Sequence, residues 1–122
     1  MPKDILIVDD SQTLRLMVKI CLKGLPYVLT EADNGAGALE RLGQQTFDLI
    51  LTDLNMPEVD GFEFIERARK LASAEQTPIV VMTSREGEGD IERAFALGAS
   101  SYVHKPVKKE ELIAVLVRHL GT

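Results

Sequence analysis

The chain has 122 residues, 45% hydrophobic and 27% charged, a balance typical of one globular domain and unlike that of a disordered segment. Its 14 lysines and arginines against 19 aspartates and glutamates give a net charge of −5, which argues against nonspecific binding to nucleic acid or to an anionic membrane. The single cysteine, Cys21, excludes an internal disulfide, and no apolar run approaches the ~20 residues that span a bilayer. We therefore expect one cytoplasmic domain over residues 1–122, with no second domain.

Short apolar runs along the chain predict five strands. They lie at residues 5–8, 27–30, 49–52, 79–82 and 101–104. Several of these runs are continuously apolar and rich in Ile, Leu and Val, as expected for parallel strands that are covered on both faces.

Residues with helical spacing follow each strand, so the sequence predicts five helices. The second helix covers residues 36–42, and glycines at 24, 43, 98 and 121 mark the ends of four of the helices. The apolar stripes of the other helices are Leu14, Met17, Val18, Cys21 and Leu22 in the first, Phe64, Ile65, Ala68, Leu71 and Ala72 in the third, Ile91, Ala94 and Phe95 in the fourth, and Leu112, Ile113, Leu116, Val117 and Leu120 in the fifth.

The alternation of strand and helix, repeated five times, predicts an α/β fold. Right-handed crossovers place helices on both faces of a parallel sheet and give a three-layer (βα)5 sandwich. Five strands favour the flavodoxin-like strand order 2-1-3-4-5. In such sheets, ligands bind beyond the carboxyl ends of the strands, where strands 1 and 3 are neighbours.

Polar side chains with complementary chemistry follow four of the predicted strands. Asp9 and Asp10 follow strand 1, Asp53 follows strand 3, Thr83 follows strand 4 and Lys105 follows strand 5. Three carboxylates at one edge of a sheet repel one another and need a compensating charge. Mg²⁺ supplies that charge, because it takes oxygen ligands and commonly bridges carboxylates to a phosphoryl oxygen.

Asp53 is the best candidate for a nucleophile in this group, because its strand is central in the predicted sheet. Lys105 can pair with Asp53 or with a phosphoryl oxygen, and Thr83 can donate its hydroxyl to another phosphoryl oxygen. Phosphoryl transfer needs little more than an in-line nucleophile, a metal and donors at the equatorial oxygens.

Each of these residues also has a simpler interpretation. Asp9 or Asp10 could cap the helix that follows, Asp53 could begin a turn, and Lys105 with Pro106 could form a solvated loop. Taken singly, the simpler interpretations are favoured. Taken together, the convergence of four strands on one chemistry favours the phosphoryl site.

With these residues in place, the whole chain resembles the receiver domain of two-component response regulators, a bacterial signalling family. The motifs that carry the resemblance are Val8-Asp9-Asp10-Ser11, Thr52-Asp53-Leu54-Asn55-Met56-Pro57, Asp60-Gly61, Val81-Met82-Thr83-Ser84 and Tyr102-Val103-His104-Lys105-Pro106. Within the family, the segments 11–15 and 55–57 are most similar to stand-alone chemotaxis regulators.

The resemblance implies a role for each site residue. Asp53 would accept a phosphoryl group from a phosphohistidine on a sensor histidine kinase. Mg²⁺ would be held by Asp10, Asp53 and the backbone carbonyl of Asn55, with Asp9 acting mainly through water. Such a chain is no enzyme in the usual sense, because it catalyses only phosphoryl transfer to its own aspartate and the hydrolysis that follows.

The resemblance also implies a conformational switch. Lys105 and Thr83 would bind the phosphoryl oxygens, Thr83 would move toward them, and Tyr102 would rotate inward. The face formed by helix 4, strand 5 and helix 5 would then repack and be recognised by a protein partner. Asn55 and Arg85, which flank the phosphoryl site, would tune hydrolysis.

Several other functions remain open. The chain could be a phosphorelay intermediate, a phosphate sink or the receiver part of a longer regulator. A phosphatase with an aspartyl-phosphate intermediate is disfavoured, since its acid/base aspartate is replaced by Asn55. A nucleotide or flavin binder is disfavoured because Asp9, Asp10 and Ser11 stand where glycines are needed.

The remaining polar features have ordinary interpretations. Residues 87–90 are predicted to form a loop, either a hinge beside Thr83 or a plain surface loop. His104 is expected on the side of Tyr102, away from the carboxylates. His119 is expected to be partly charged near a helix C-terminus, and Cys21 to be a small buried hydrophobic residue.

Overall fold

A computed structural model of the chain describes residues 2–56, 58–84 and 88–121. Strands and helices alternate along it. In chain order they are β1 (Lys3–Val8), α1 (Gln12–Cys21), β2 (Tyr27–Ala32), α2 (Gly35–Gln44), β3 (Leu49–Asp53), α3 (Gly61–Arg69), a 3₁₀ turn (Ala72–Ala74), β4 (Ile79–Thr83), α4 (Glu88–Leu97), β5 (Ser101–His104) and α5 (Lys109–Leu120).

The five strands form one parallel sheet in the order β2-β1-β3-β4-β5. This confirms the predicted α/β fold and its strand order. Every residue of β3 and β4 is buried, because helices cover both faces of the sheet there. In this order β1 and β3 are neighbours, although β2 lies between them in the sequence, so the residues after β1 and β3 meet at one edge.

Two apolar clusters fill the spaces between the sheet and its helices. One lies under α2, α3 and α4 and includes Phe64, Ile65 and Ile50. The other lies under α1 and α5 and includes Val18 and Leu116. Cys21 is a free, half-buried thiol packed against this second cluster, broadly as predicted for a small apolar side chain.

Side chains cap the first turns of three helices. Ser11, Asn34 and Asp60 accept hydrogen bonds from the amides of Leu14, Gly37 and Glu63 at 3.1, 2.7 and 2.9 Å, which satisfies donors that a helix leaves free. The cap before α1 is thus Ser11, and the interpretation of Asp9 or Asp10 as that cap was wrong.

The helix ends differ from the prediction at three places. α1 ends at Cys21 and is capped by Leu22 rather than by Gly24. α2 continues through Gly43 to Gln44, since Gly43 keeps a helical conformation. α3 ends at Arg69, so Leu71 and Ala72 lie outside it. The physical reason lies in Arg69, whose Nη1 donates to the carbonyl oxygens of Ala74 and Thr77 and holds a tight turn.

The predicted apolar stripes are also too wide. Met17, Phe95 and Val117 are each about two-fifths exposed, because each lies at the outer margin of the stripe on its helix. The predicted ends at Gly98 and Gly121 agree with the structure, and both residues have a positive φ. In the described residues, no helix is long and apolar enough to cross a bilayer.

Candidate functional site

An acidic cluster lies at the carboxyl edge of the sheet. Val8 of β1 pairs with Thr52 of β3, so the residues that follow them in the chain come together. One carboxylate oxygen from each of Asp9, Asp10 and Asp53 lies within 4.8 Å of the others. The structure therefore brings together all three carboxylates that the sequence indicated.

Asp9 is the most constrained of the three. Its side chain is 1% exposed, and its Oδ1 accepts a hydrogen bond from the amide of Ser11 at 2.8 Å. Its Oδ2 is buried and has no hydrogen bond with any described residue. Burial raises the pKa of Asp9, and the nearby charge of Asp53 raises that pKa further.

Asp53 is buried but well paired on one side. Its Oδ1 accepts hydrogen bonds from the backbone amide of Leu54 and from Lys105 Nζ, both at 2.8 Å. The described residues provide no hydrogen bond to its Oδ2. One oxygen is thus fixed while the other stays available for chemistry.

Lys105 connects the two buried carboxylates. Its Nζ lies 2.8 Å from Asp53 Oδ1 and 3.5 Å from Asp9 Oδ2. The amide of Lys105 donates to the carbonyl of Thr83 at 2.7 Å, which holds the end of β5 against β4. The simpler interpretation of Lys105 as part of a solvated loop is therefore wrong, because its ammonium group is directed into the cluster.

The donor set suits a hard divalent cation. The three clustered groups offer only oxygen atoms, and one buried oxygen, Asp9 Oδ2, has no hydrogen bond among the described residues. Mg²⁺ prefers carboxylate and carbonyl oxygens and retains several waters, for which the exposed Asp10 leaves access. Asp9, Asp10 and Asp53 could hold such an ion.

Three other predicted residues have no side-chain bond to the carboxylates. Thr83 is buried, and its Oγ1 donates to the carbonyl of Ser84 at 3.2 Å. Tyr102 is 39% exposed, and its ring is edge-on to those of Phe95 and His104. Asn55 is exposed. The ligand, donor and switch roles of these residues stay predictions.

Gly61 supports the site from behind in a way that its motif alone does not explain. Its amide donates to the carbonyl of Leu54 at 2.9 Å. A Cβ at Gly61 would overlap the carbonyl oxygen of Asp53 and the Cα of Leu54. The first turn of α3 thus lies directly against the end of β3, and only glycine fits there.

Arg15, which lies in the segment 11–15, has a structural role that the sequence did not indicate. Its Nη1 donates to the carbonyl of Asp9 at 2.6 Å, and its Nε to Glu31 at 2.9 Å. The hydrogen bond from Lys19 to Glu31 lowers the pKa of Glu31, and the hydrogen bond from Arg15 lowers it further. These hydrogen bonds of Arg15 link α1 to β2 and to the residue after β1. The sequence has no local signal for them, because the partners lie on different elements.

The two histidines have different surroundings in the structure. The ring of His104 packs on Tyr102 with 5.2 Å between ring centroids, which confirms that both lie on the same side. His119 forms a 2.8 Å hydrogen bond with Ser101 Oγ. Burial lowers the pKa of His119, with a further contribution from Arg118. The lowered pKa disfavours the partial charge expected from the helix-end position of His119, while its hydrogen bond agrees with a structural residue.

Part of the predicted loop after β4 is helical. Glu88, Gly89 and Asp90 form the first turn of α4, so the loop prediction was wrong for them. Gly87 lies outside the described residues, as do Pro57 of the predicted motif 52–57 and Arg85, which was predicted to tune hydrolysis.

Residues 5–117 match the sequence profile of the response regulator receiver domain, a range that includes the acidic cluster, Lys105 and all of the sheet except the first two residues of β1. The chain belongs to this family. Receiver domains are signalling proteins of two-component systems rather than conventional enzymes. The resemblance carried by the predicted motifs is confirmed.

Relatives of known structure have the same fold. The chemotaxis protein CheY4 of Vibrio cholerae is 33% identical and superposes with a TM-score of 0.92. The alignment covers 98% of this chain and all of CheY4. The receiver domain of a sensor histidine kinase from Pseudomonas aeruginosa is 29% identical, with a TM-score of 0.90 over the full length of both chains. That structure contains a magnesium ion coordinated in the active site cleft.

A curated relative carries the domain within a much longer protein. The sensor histidine kinase CheAY of Helicobacter pylori is 37% identical over 118 residues, which are 95% of this chain and 15% of the kinase. The chain therefore spans a small part of that relative.

Proposed function

We propose that this receiver domain is a phosphorylation-dependent switch in which Asp53 accepts a phosphoryl group from a sensor histidine kinase. The observation that carries the proposal is the asymmetric binding of the Asp53 carboxylate. Its Oδ1 is fixed by Leu54 and Lys105 at 2.8 Å each, while its Oδ2 has no hydrogen bond among the described residues.

The asymmetry assigns the two oxygens different tasks. The Leu54 amide and the Lys105 ammonium group orient the carboxylate through Oδ1, and Oδ2 keeps its lone pairs for attack. Oδ2 forms a bond to phosphorus as the bond from phosphorus to the imidazole nitrogen of the donor breaks, and the electron pair of that bond returns to the imidazole. Pre-orientation of this kind lowers the entropic cost of the reaction.

Mg²⁺ is the cofactor that this proposal requires. Asp10, Asp53 and the backbone carbonyl of Asn55 are the proposed ligands, and Asp9 acts mainly through water. The support is the cluster of three carboxylates and the buried Asp9 Oδ2 without a hydrogen-bonding partner among the described residues. When bound, the ion supplies the positive charge that offsets the carboxylates and the phosphoryl oxygens.

Lys105 and Thr83 serve the product of the transfer. Lys105 exchanges its bond to Asp53 for one to a phosphoryl oxygen, which its flexible stem allows. Thr83 turns its hydroxyl from the carbonyl of Ser84, at 3.2 Å, toward a second phosphoryl oxygen. Charge-assisted hydrogen bonds of this kind are stronger than the bond that Thr83 gives up.

The readout is the proposed surface of α4, β5 and α5. Tyr102 is 39% exposed and contacts Phe95 of α4, so its inward rotation alters the outer surface of that face. A protein partner that binds the repacked face receives the signal. Among signalling pathways we favour chemotaxis. The cytoplasmic location and the assignment of residues 1–122 to a single domain stay predictions.

The alternatives share the same chemistry at Asp53. A phosphorelay intermediate or phosphate sink would accept the phosphoryl group equally well and pass it to histidine or to water. In a longer regulator, the switched face would bind a neighbouring domain. A phosphatase acting on another substrate is disfavoured, because Asn55 offers an amide in place of an acid/base carboxyl group.

Incubation with acetyl phosphate and Mg²⁺, followed by intact-mass measurement, tests the proposal. The wild-type chain should gain one phosphoryl group and lose it again when Mg²⁺ is kept and the donor is removed. Asp53→Asn should gain none, and Asp33→Asn, an exposed aspartate at the end of β2, should behave as the wild type. An unmodified wild-type chain that also fails to bind beryllofluoride would overturn the proposal.

A further inference from the structure

His104 lies between the two residues of the proposed switch. Thr83 of β4 is the register partner of His104 of β5, and Val81 is the partner of Tyr102. Register partners in a parallel sheet direct their side chains to the same face. Thr83, His104 and Tyr102 therefore share one face of the sheet, the face toward α4, where Tyr102 contacts Phe95.

One nitrogen of His104 is in an unfavourable position. Its Nδ1 is buried and has no hydrogen bond with any described residue. A buried polar atom without a partner destabilises the conformation that contains it. A rearrangement that brings a hydrogen-bond donor to Nδ1 would therefore remove this destabilisation.

Tyr102 carries a hydroxyl donor on the ring that packs against His104. Its ring centroid lies 5.2 Å from that of His104, and its hydroxyl has no hydrogen bond with a described residue. Thr83 is the less suitable donor, because in the proposed function its hydroxyl turns to the phosphoryl group.

The backbone around His104 is held on both sides. The amide of His104 donates to Glu111 Oε1 of α5 at 3.1 Å, and the amide of Lys105 donates to the carbonyl of Thr83 at 2.7 Å. These bonds hold the backbone at this end of β5 in place, which suits a rotation of the Tyr102 side chain beside a fixed imidazole.

We propose that His104 is a positioning residue of the switch, whose Nδ1 accepts a hydrogen bond from the Tyr102 hydroxyl once Tyr102 has turned inward. The inference rests on the proposed function, since it concerns the conformation that phosphorylation of Asp53 favours. In the switched state the buried Nδ1 of His104 would be hydrogen-bonded, and in the unswitched state it is not. The imidazole is thereby coupled to the position of Tyr102 on the exposed face of α4 and β5.

Beryllofluoride with Mg²⁺, which mimics the phosphoryl group, measures this coupling by calorimetry. Its apparent affinity falls when the competent conformation is less populated. His104→Leu should bind it about fivefold more weakly, the effect of losing one hydrogen bond. His104→Asn keeps an acceptor close to the Nδ1 position and should bind as the wild type does. His119→Gln, at the histidine that is bonded to Ser101, is the matched control and should also bind normally.

Two further readouts separate the proposal from a merely structural role. Without ligand, His104→Leu should melt at or above the wild-type temperature, because the unpaired nitrogen is gone. Tyr102→Phe should weaken beryllofluoride binding about fivefold as well, and adding His104→Leu to it should cause no further loss.

The outcomes are distinct. Additive losses in the double variant, wild-type affinity in His104→Leu, or equal losses in His104→Asn and His104→Leu would each overturn the role of His104 while leaving the phosphoryl site standing. If the wild type binds no beryllofluoride, both this inference and the proposed function fail.

Discussion

The ammonium nitrogen of Lys105 lies 2.8 Å from Oδ1 of Asp53, across the carboxyl edges of strands that are not neighbours in the sheet. Among the described residues, Lys105 is the only cation that pairs with the carboxylates of the cluster, and this contact places it against the proposed phosphoacceptor. It also makes the two buried carboxylates depend on one side chain, because Lys105 is 3.5 Å from Asp9 Oδ2.

Replacing Lys105 with methionine should destabilise the protein when Mg²⁺ is absent. Asp9 and Asp53 would then face each other without a compensating charge, and we expect a loss of about 1–3 kcal/mol, less than for a fully buried pair because the Lys105 side chain is 29% exposed. Urea unfolding measures the loss, and added Mg²⁺ should recover part of it. Lys19→Met, which breaks an exposed pair with Glu31, should cost under about 1 kcal/mol; equal losses in both variants would contradict the account.

Asp10→Ala should bind Mg²⁺ far more weakly than the wild type while keeping the fold. Asp10 is the exposed member of the cluster, so its removal relieves repulsion without leaving a cavity, and stability without metal should be unchanged or higher. Calorimetric titration with Mg²⁺ checks the affinity. Asp33→Ala, outside the cluster, serves as the control, and an unchanged affinity in Asp10→Ala would refute the ligand assignment.

Asp9 should make the folded protein less stable as pH rises, whereas a carboxylate in an ion pair makes it more stable. Because burial raises its pKa, the folded protein holds a proton more firmly than the unfolded chain does. The stabilisation from protonated Asp9 is complete below its ordinary value of 3.8 and is lost as pH rises through the raised pKa.

Asp9→Asn should therefore be more stable than the wild type at neutral pH without Mg²⁺, by on the order of 1–3 kcal/mol. The advantage should shrink as pH falls below the raised pKa. Urea unfolding of both proteins across the acidic range gives the difference directly. An advantage that grows toward low pH would show that the sign is wrong.

Arg69→Met should destabilise the fold by about 2–3 kcal/mol, since it leaves several backbone carbonyls without a donor. Arg69 donates to the carbonyl oxygens of Gly98, Ala74 and Thr77, and burial lowers its pKa. Arg67→Met, which loses only an exposed pair with Glu63, should change stability by about 0.5 kcal/mol or less. Phosphorylation of Asp53 should proceed in both variants, and thermal unfolding distinguishes them.

Gly61→Ala should destabilise the protein by about 2 kcal/mol or more, because the added Cβ overlaps the backbone of Asp53 and Leu54. It should also slow phosphorylation, since the end of β3 must shift. Gly43→Ala lies inside α2 with no atom within 4 Å of its added Cβ, and should stabilise by about 0.5–1 kcal/mol. Denaturation midpoints test the pair, and a tolerated Gly61→Ala would contradict the close packing.

The sheet and the acidic cluster could be predicted because their signals are local. Runs of Ile, Leu and Val mark β1, β3 and β4, and the carboxyl end of each parallel strand is fixed by chain direction alone. Asp9, Asp53 and Lys105 therefore follow from strand order without any knowledge of side-chain conformation.

The remaining features depend on contacts that the sequence does not encode locally. Arg69 bonds to carbonyl oxygens at positions 74, 77 and 98, and backbone carbonyls have no signature in the sequence. The same contacts end α3 before Leu71, although its apolar spacing continues. The neutral state favoured at His119 follows from its burial against Ser101, which its position near a helix end could not reveal.

Borohydride trapping shows which aspartate carries the phosphoryl group. After treatment with acetyl phosphate and Mg²⁺, reduction converts an aspartyl phosphate to homoserine, and peptide mass spectrometry locates it. The account predicts homoserine at position 53 alone, dependent on Mg²⁺ and absent in Asp53→Asn. Homoserine at position 9 or 10, or none at any aspartate of a chain that binds Mg²⁺, would contradict it.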